Sequence, residues 1–249
     1  MNKVVVTRPV DQAGKWLKAI NEAGFESVLL PFIQTQKLDL PVTSARNLSL
    51  YDAVMLVSAS AVKHFSNAIQ TLLCGNQLPR FWVTGPGTAQ ALIEIGVPSR
   101  YIDYPDPLTA SLDSKGLWQC VQAQLATTQA VLIVRGRHSL TKATGNLWLE
   151  QQIQASGIST HTLVVYERQS PSWTAEQHIM AQNLLEQPVI WLLTSSEAID
   201  LAPNLNFMGQ KALVTHEKIA KTATLKGFLV QSIVHPSIEK VIAGLKSIT

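Results

Sequence analysis

The chain repeats itself, and the repeat limits what it can fold into. VVVTRP at 4–9 resembles VLIVRG at 131–136, which sets Arg8 opposite Arg135. AGFESVLLPF at 23–32 resembles SGISTHTLVVY at 156–166, with Gly24 opposite Gly157. YDAVMLVSASAV at 51–62 resembles PVIWLLTSSEAI at 188–199, and VTGPGTAQALIEIG at 83–96 aligns without gaps on VTHEKIAKTATLKG at 214–227. Pro105 and Pro236 continue the series at the same spacing of roughly 130 residues. One such pair would be chance; five in order indicate two similar units.

Each unit alternates short apolar runs with segments of helical period. The runs are Val4–Val6, Val28–Leu30, Ala53–Val57, Val131–Val134, Leu163–Val165, Val189–Leu193 and Ala212–Val214. Short β-rich runs bounded by Gly, Pro and Ser, with helices between, predict an α/β fold with parallel sheets. Strands buried on both faces need not alternate in polarity, and these do not. Small or polar residues gather just after the strands: Thr7-Arg8-Pro9, Ser58-Ala59-Ser60, Thr84-Gly85, Arg135-Gly136, Thr194-Ser195-Ser196 and Thr215-His216. Parallel sheets bind ligands beyond the carboxyl ends of their strands, so a bilobal binder with an interdomain cleft is expected.

Several functions lose their support. Gly85 and Gly87 begin G-x-G, but Gln90 stands where the dinucleotide fingerprint needs its third glycine. No Walker loop and no G-x-S-x-G elbow occur, and His216-Glu217 meets Ala220 where a zinc H-E-x-x-H needs histidine. Cys74 and Cys120 make neither a C-x-x-C nor a disulfide framework. A net charge of +3 without basic clusters does not suggest nucleic acid. Neither a signal peptide nor a run near the roughly 18 apolar residues of a membrane span is read in the sequence. A reduced, cytoplasmic protein is expected, in which the Asn47-Leu48-Ser49 sequon is idle.

What remains is a set of helix starts suited to anions, since a helix N-terminus presents free N–H groups and a partial positive charge. Gly85 and Thr88 stand at the first-unit turn, Ser58 and Ser60 at the preceding strand end, and Thr194, Ser195, Ser196 and Thr215 at the repeat counterparts. Any one of these serines and threonines could simply cap a helix; as a set they suit carboxylates. Arg8 and Arg135 read either as structural ion pairs or as carboxylate ligands. His216 reads as a solvent-facing loop residue, Lys218 as helix surface, and Trp16, Trp148 and Trp191 as core. Tyr166, in LVVYERQSP, reads either as a packing residue beside a connector or as a donor to a leaving oxygen.

The ordered set TRP, YDAVMLVSASAV, VTGPGTAQAL, VLIVRG, VVYERQ and LLTSSEAI resembles the uroporphyrinogen-III synthase family over nearly the whole chain. The resemblance implies two similar Rossmann/flavodoxin-like α/β domains with parallel sheets, joined by a two-stranded connector that the chain crosses twice. One domain would comprise 1–33 plus 172–249 and the other 41–162, with connector strands at 34–40 and 163–171. It also implies the reaction: hydroxymethylbilane, with eight carboxylates, loses water to an azafulvene, closes through a spiro intermediate and inverts ring D. No metal or cofactor is implied. Tyr166 matches the tyrosine proposed to assist loss of the hydroxyl, and Ser58, Thr88, Thr194 and Ser195 match positions near the substrate. At the second turn many relatives carry Gly-Pro-x-Thr, from which His216, Glu217 and Ile219 depart, and Thr215 need not replace that threonine. The expected substrate-binding set is therefore Arg8, Ser58, Ser60, Gly85, Thr88, Arg135, Thr194, Ser195 and Thr215. A monomer without nucleic-acid or membrane partners, in transient contact with hydroxymethylbilane synthase, completes the expectation. The alternatives are a non-catalytic bilobal binder of a small anion and a glycosyltransferase-like enzyme; the first usually requires export, the second a nucleotide-sugar site.

Overall fold

The computed structural model describes residues 3–39, 48–75, 77–139, 141 and 147–248. Asn47 of the sequon, and Leu40 and Pro41 at an expected domain limit, lie outside the described residues. The strands, in chain order, are β1 (Lys3–Val6), β2 (Glu26–Leu29), β3 (Gln34–Lys37), β4 (Ala53–Leu56), β5 (Arg80–Val83), β6 (Ile102–Asp103), β7 (Ala130–His138), β8 (Ser159–Gln169), β9 (Val189–Leu193), β10 (Lys211–Val214) and β11 (Leu229–Ile233). The helices are α1 (Val10–Glu22), α2 (Ala59–Leu73), α3 (Pro86–Glu94), α4 (Ser114–Val121), α5 (Trp148–Ala155), α6 (Ala175–Leu185), α7 (Ser196–Asp200), α8 (Glu217–Leu225) and α9 (Ile238–Ser247).

These elements divide into two compact units, Met1–Gln34 with Gln169–Thr249, and Thr35–Arg168. In the first, the sheet order is β2-β1-β9-β10-β11, and its strand pairs are parallel. Counted along that unit's own chain this is 2-1-3-4-5, the flavodoxin-like doubly wound order. In the second, the order is β8-β7-β4-β5-β6, again parallel, with β3 added outside β8. Superposing the two orders pairs β1 with β7, β2 with β8, β9 with β4 and β10 with β5. These are the pairs that the repeat makes. One unit runs its β1–β2 half first and the other runs the equivalent β7–β8 half last.

The strands lack polarity alternation because both sheet faces are covered. Val4 and Val6 point into one apolar cluster with Trp16, Ile20 and Val241, while Val5 between them faces Phe32 and Trp191. In the second unit Val54 and Leu56 face Phe65 and Phe81, whereas Ala53 and Met55 face Trp82 and Ile153. Full burial of such side chains contributes about 1.5–3 kcal/mol each. Helix α1 shows how a segment is committed to one face: Ala13, Trp16 and Ile20 recur at helical spacing and are its buried residues. It stops at Gly24, whose φ of 91° is the left-handed conformation that glycine adopts without strain, and α5 stops the same way at Gly157, φ 81°. Trp16 and Trp191 are buried and Trp148 is half-buried, in line with their reading as core.

Two local readings need correction. Arg135 and Gly136 do not follow a strand: β7 continues through them to His138. His216 is exposed but is not a bare loop residue, because its Nδ1 accepts the Lys218 N–H at 3.0 Å and caps α8. Its carbonyl also accepts the Ala220 N–H at 3.0 Å, the first helical bond.

Candidate active site

In the second unit, β4, β5, β7 and β8 are parallel, so the residues that follow or end them share one edge of the sheet. The order reverses between β4 and β7, which is where a doubly wound sheet opens a crevice. Ser58 stands at this point as the N-cap of α2. Its Oγ accepts the Ala61 N–H at 3.1 Å and lies 3.1 Å from the Tyr166 hydroxyl. A serine hydroxyl has two lone pairs and one proton. With one lone pair committed to the helix, the serine can still either donate its proton to the phenolic oxygen or accept the phenol's; in the first arrangement the phenol keeps its own proton for a third partner.

Tyr166 reaches Ser58 because of an irregularity in the sheet. Arg135 is opposite Val164, but Gly136 is opposite Tyr166, so Val165 is an extra residue in β8. Its carbonyl accepts the Leu38 N–H at 3.0 Å instead. In a regular strand Val165 and Tyr166 would face opposite sides. With the inserted residue both enter the same apolar cluster, beside Val134 and Leu56. Tyr166 is 3% exposed, stacks on His64 with ring centroids 5.2 Å apart, and has the Arg168 guanidinium 5.8 Å from its ring. A Cβ on Gly136 would lie 2.2 Å from the Tyr166 Cζ, so only glycine fits there with the ring in this place. The Tyr166 ring is thus packed, and its hydroxyl meets Ser58 at the reversal of the sheet.

The other expected residues of this unit are distributed as follows. Val83 ends β5, Thr84 and Gly85 turn, and α3 starts at Pro86 with Gly85 as N-cap. Thr88 therefore does not cap: it is the third helical residue, buried, with its N–H on the Gly85 carbonyl at 3.2 Å. Ser60 is buried in the first turn of α2. Arg135 is 4% exposed and its guanidinium meets Glu150 Oε2 at 3.2 Å; Thr162 donates to the other oxygen of that carboxylate at 2.8 Å. Burial lowers the Arg135 pKa from its ordinary value, an effect Glu150 opposes. Of the two readings of Arg135, this geometry favours the structural ion pair.

In the first unit the reversal falls between β1 and β9, and Arg8 and Thr194 meet there. The Arg8 guanidinium donates to Thr194 Oγ1 at 3.0 Å and to Gln12 Oε1 at 3.2 Å, and lies 5.0 Å above the Trp16 ring. Thr7, just before it, is buried and donates to the Leu192 carbonyl at 2.9 Å. Burial lowers the Arg8 pKa from its ordinary value. An arginine nonetheless stays protonated, so the edge carries a fixed positive charge. Both of these acceptors are neutral oxygens, unlike the carboxylate that meets Arg135. Ser195 caps α7 by accepting the Ala198 N–H at 3.2 Å, and Thr215 is buried before the His216 cap. The sequence reading missed His64 and Glu150, and it placed Gly136 just past a strand end without its contact to Tyr166. Only Gly136, glycine inside a run of β-formers, carried a local signal.

Among the described residues no group of three His, Cys, Asp or Glu side chains could hold a metal ion, and no helix is long and apolar enough to cross a membrane. The family model described as uroporphyrinogen-III synthase HemD matches residues 14–230. A uroporphyrinogen-III synthase from Chlorobaculum parvum is 26% identical over 230 residues, covering 90% of this chain and 86% of that protein. The crystal structure of uroporphyrinogen-III synthetase from Helicobacter pylori is 17% identical, with a TM-score of 0.60 and coverage of 99% of this chain and 98% of that one. A mutant uroporphyrinogen III synthase from Thermus thermophilus is 15% identical, with a TM-score of 0.54 and coverage of 99% and 97%. At such identities the solved structures speak to the fold.

Proposed function

The chain belongs to the uroporphyrinogen-III synthase family, and from that premise we propose that it dehydrates and cyclises hydroxymethylbilane, inverting ring D to give uroporphyrinogen III. The observation that carries the residue-level reading is the 3.1 Å contact between Ser58 Oγ and the Tyr166 hydroxyl at the reversal of the second sheet. In the first step the C–O bond of the hydroxymethyl group breaks, its electrons leave with oxygen, and the phenol proton completes a water. Donation from the Ser58 hydroxyl stabilises the phenolate so formed. The azafulvenium cation left behind is attacked by the substituted carbon of ring D, the spiro intermediate fragments and recloses, and the proton lost as the last pyrrole regains its aromaticity restores the phenol. Most of the acceleration comes from holding one conformation of a substrate that also closes unaided to the symmetric isomer.

Acetate and propionate groups need donors, and each unit's carboxyl edge offers them. Arg8 with Thr194 supplies a fixed cation on one edge, and the Gly85–Thr88 start of α3, with Ser60, supplies neutral donors on the other. Ser195 and Thr215 stand beside the first set. Arg135, held by Glu150, supports the sheet behind Tyr166 instead of binding substrate. This reading extends to a cytoplasmic monomer that receives its substrate from hydroxymethylbilane synthase in transient contact.

Tyr166→Phe tests the role of the hydroxyl while preserving the ring. Turnover is expected to fall roughly ten- to a thousandfold, the scale of losing a positioned acid. An unchanged rate would return Tyr166 to packing alone.

A further inference from the structure

Helix α2 contacts Tyr166 twice, once through its cap Ser58 and again through His64 in its second turn. The imidazole lies nearly parallel to the phenol, at an interplanar angle of 25°. Stacking fixes the plane of a ring but leaves it free to slide. The imidazole is itself held: its Nε2 lies 2.9 Å from Thr35 Oγ1, on β3 at the outer side of β8. The tether keeps the imidazole from sliding across the phenol face. Thr35 is also the first residue after the chain enters this unit.

We infer that His64, held by Thr35, is a positioning residue: it sets the plane of the Tyr166 ring and so the direction of its hydroxyl. This rests on the reading of Tyr166 as the group that assists loss of water. Beside the Arg168 guanidinium 5.8 Å from its ring, the phenol is placed by three further contacts of different kinds. Ser58 fixes the oxygen, the Gly136 backbone limits the ring on one approach, and His64 fixes its tilt. Losing the tilt leaves the acid present but misaimed, which lowers the rate of the chemical step more than substrate affinity.

The test is a kinetic cycle on the full-length protein with hydroxymethylbilane. His64→Ala should lower kcat about tenfold with KM within about twofold, and His64→Phe, which restores a stacking ring, should recover most of that loss. In the Tyr166→Phe background His64→Ala should add nothing, because the hydroxyl it aims is already gone. If His64→Ala multiplies the Tyr166→Phe loss by its full factor, the inference is overturned while the role of Tyr166 stands. If Tyr166→Phe is itself as active as the parent, the reading beneath the inference has failed instead. Should His64→Ala not fold, Thr35→Val carries the test, since it keeps the shape and removes only the tether. A kcat loss of roughly threefold confined to the Tyr166 background supports the inference, and an equal loss in both backgrounds refutes it.

Discussion

Replacing Gly136 by alanine adds one methyl group to the molecule and should nearly abolish its activity. The new Cβ would stand 2.2 Å from Tyr166 Cζ, 2.3 Å from Cε2 and 2.7 Å from Cε1. Ordinary carbon contacts are near ~3.5 Å, so the ring must withdraw by roughly 1.3 Å. All three atoms lie at the hydroxyl-bearing end, so the displacement is largest where the chemistry is placed. The contact to Ser58 starts at 3.1 Å, near the limit of hydrogen-bond range, and a shift of that size would break or misalign it. The backbone at Gly136 is not left-handed, so strain of that kind plays no part. Overpacking costs about 1–3 kcal/mol, partly offset by about 0.4–1 kcal/mol from the stiffer unfolded chain. The domain should therefore fold with a lowered unfolding midpoint, while kcat falls on the order of a hundredfold. Gly244→Ala is the control: its Cβ would lie 2.7 Å from Val234 Cγ1 in the other unit, far in sequence from Tyr166. It should cost stability without reducing turnover at a temperature where it is folded. Both are read by denaturant unfolding and by turnover of hydroxymethylbilane on the same preparation. A folded Gly136→Ala protein with parental kcat would refute the claim that the place of the phenol matters.

Other outcomes follow from single contacts. Arg8→Met should raise KM for hydroxymethylbilane about tenfold or more, as expected for losing one hydrogen bond to a charged group; an unchanged KM would remove Arg8 from the binding set. Glu150→Ala leaves the Arg135 guanidinium buried without its carboxylate and should destabilise the protein by about 3–5 kcal/mol in urea unfolding, with a loss below about 1 kcal/mol counting against a buried ion pair. Asp113 caps α4, and the Gly116 N–H, then the Ser111 hydroxyl, hold its carboxyl below the usual carboxylate range. Its contribution is thus present above the unfolded-state value and lost as pH falls through the folded one. The stability gap between parent and Asp113→Asn should close on acidification from neutral pH; a gap independent of pH would refute this.

The fold was legible to the extent that it depends on local pattern. Apolar runs marked β1, β2, β4, β7, β8, β9 and β10, and the repeat pairs match the sheet orders, since β1 and β7, or β5 and β10, perform the same task in their sheets. The runs did not mark β3, with its sequence QTQK, β6, of two residues, or β11, all edge strands that need little burial, and they also missed the interior β5, whose short apolar stretch opens on Arg80. Strand ends located Arg8, Thr194 and Ser58 at the sheet reversals. The partners of those residues were not legible. Ser58 and Tyr166 are 108 positions apart, and their meeting depends on the extra residue Val165, which shifts the register without any turn residue to announce it. Arg8 and Arg135 look equivalent in sequence, yet only Arg135 has Glu150 beneath it, supplied by the helix that follows β7. Thr88 looked like a cap because Ser and Thr favour such positions, but the helix begins two residues earlier, at Pro86, whose fixed φ suits a first turn.

The central claim is that this chain selects one isomer, and the product itself tests it most directly. Hydroxymethylbilane is incubated with the purified protein, the products are oxidised in acid, and the uroporphyrin isomers are separated. The account predicts that type III rises with protein concentration at the expense of type I. Product that stays type I at every protein concentration would contradict it.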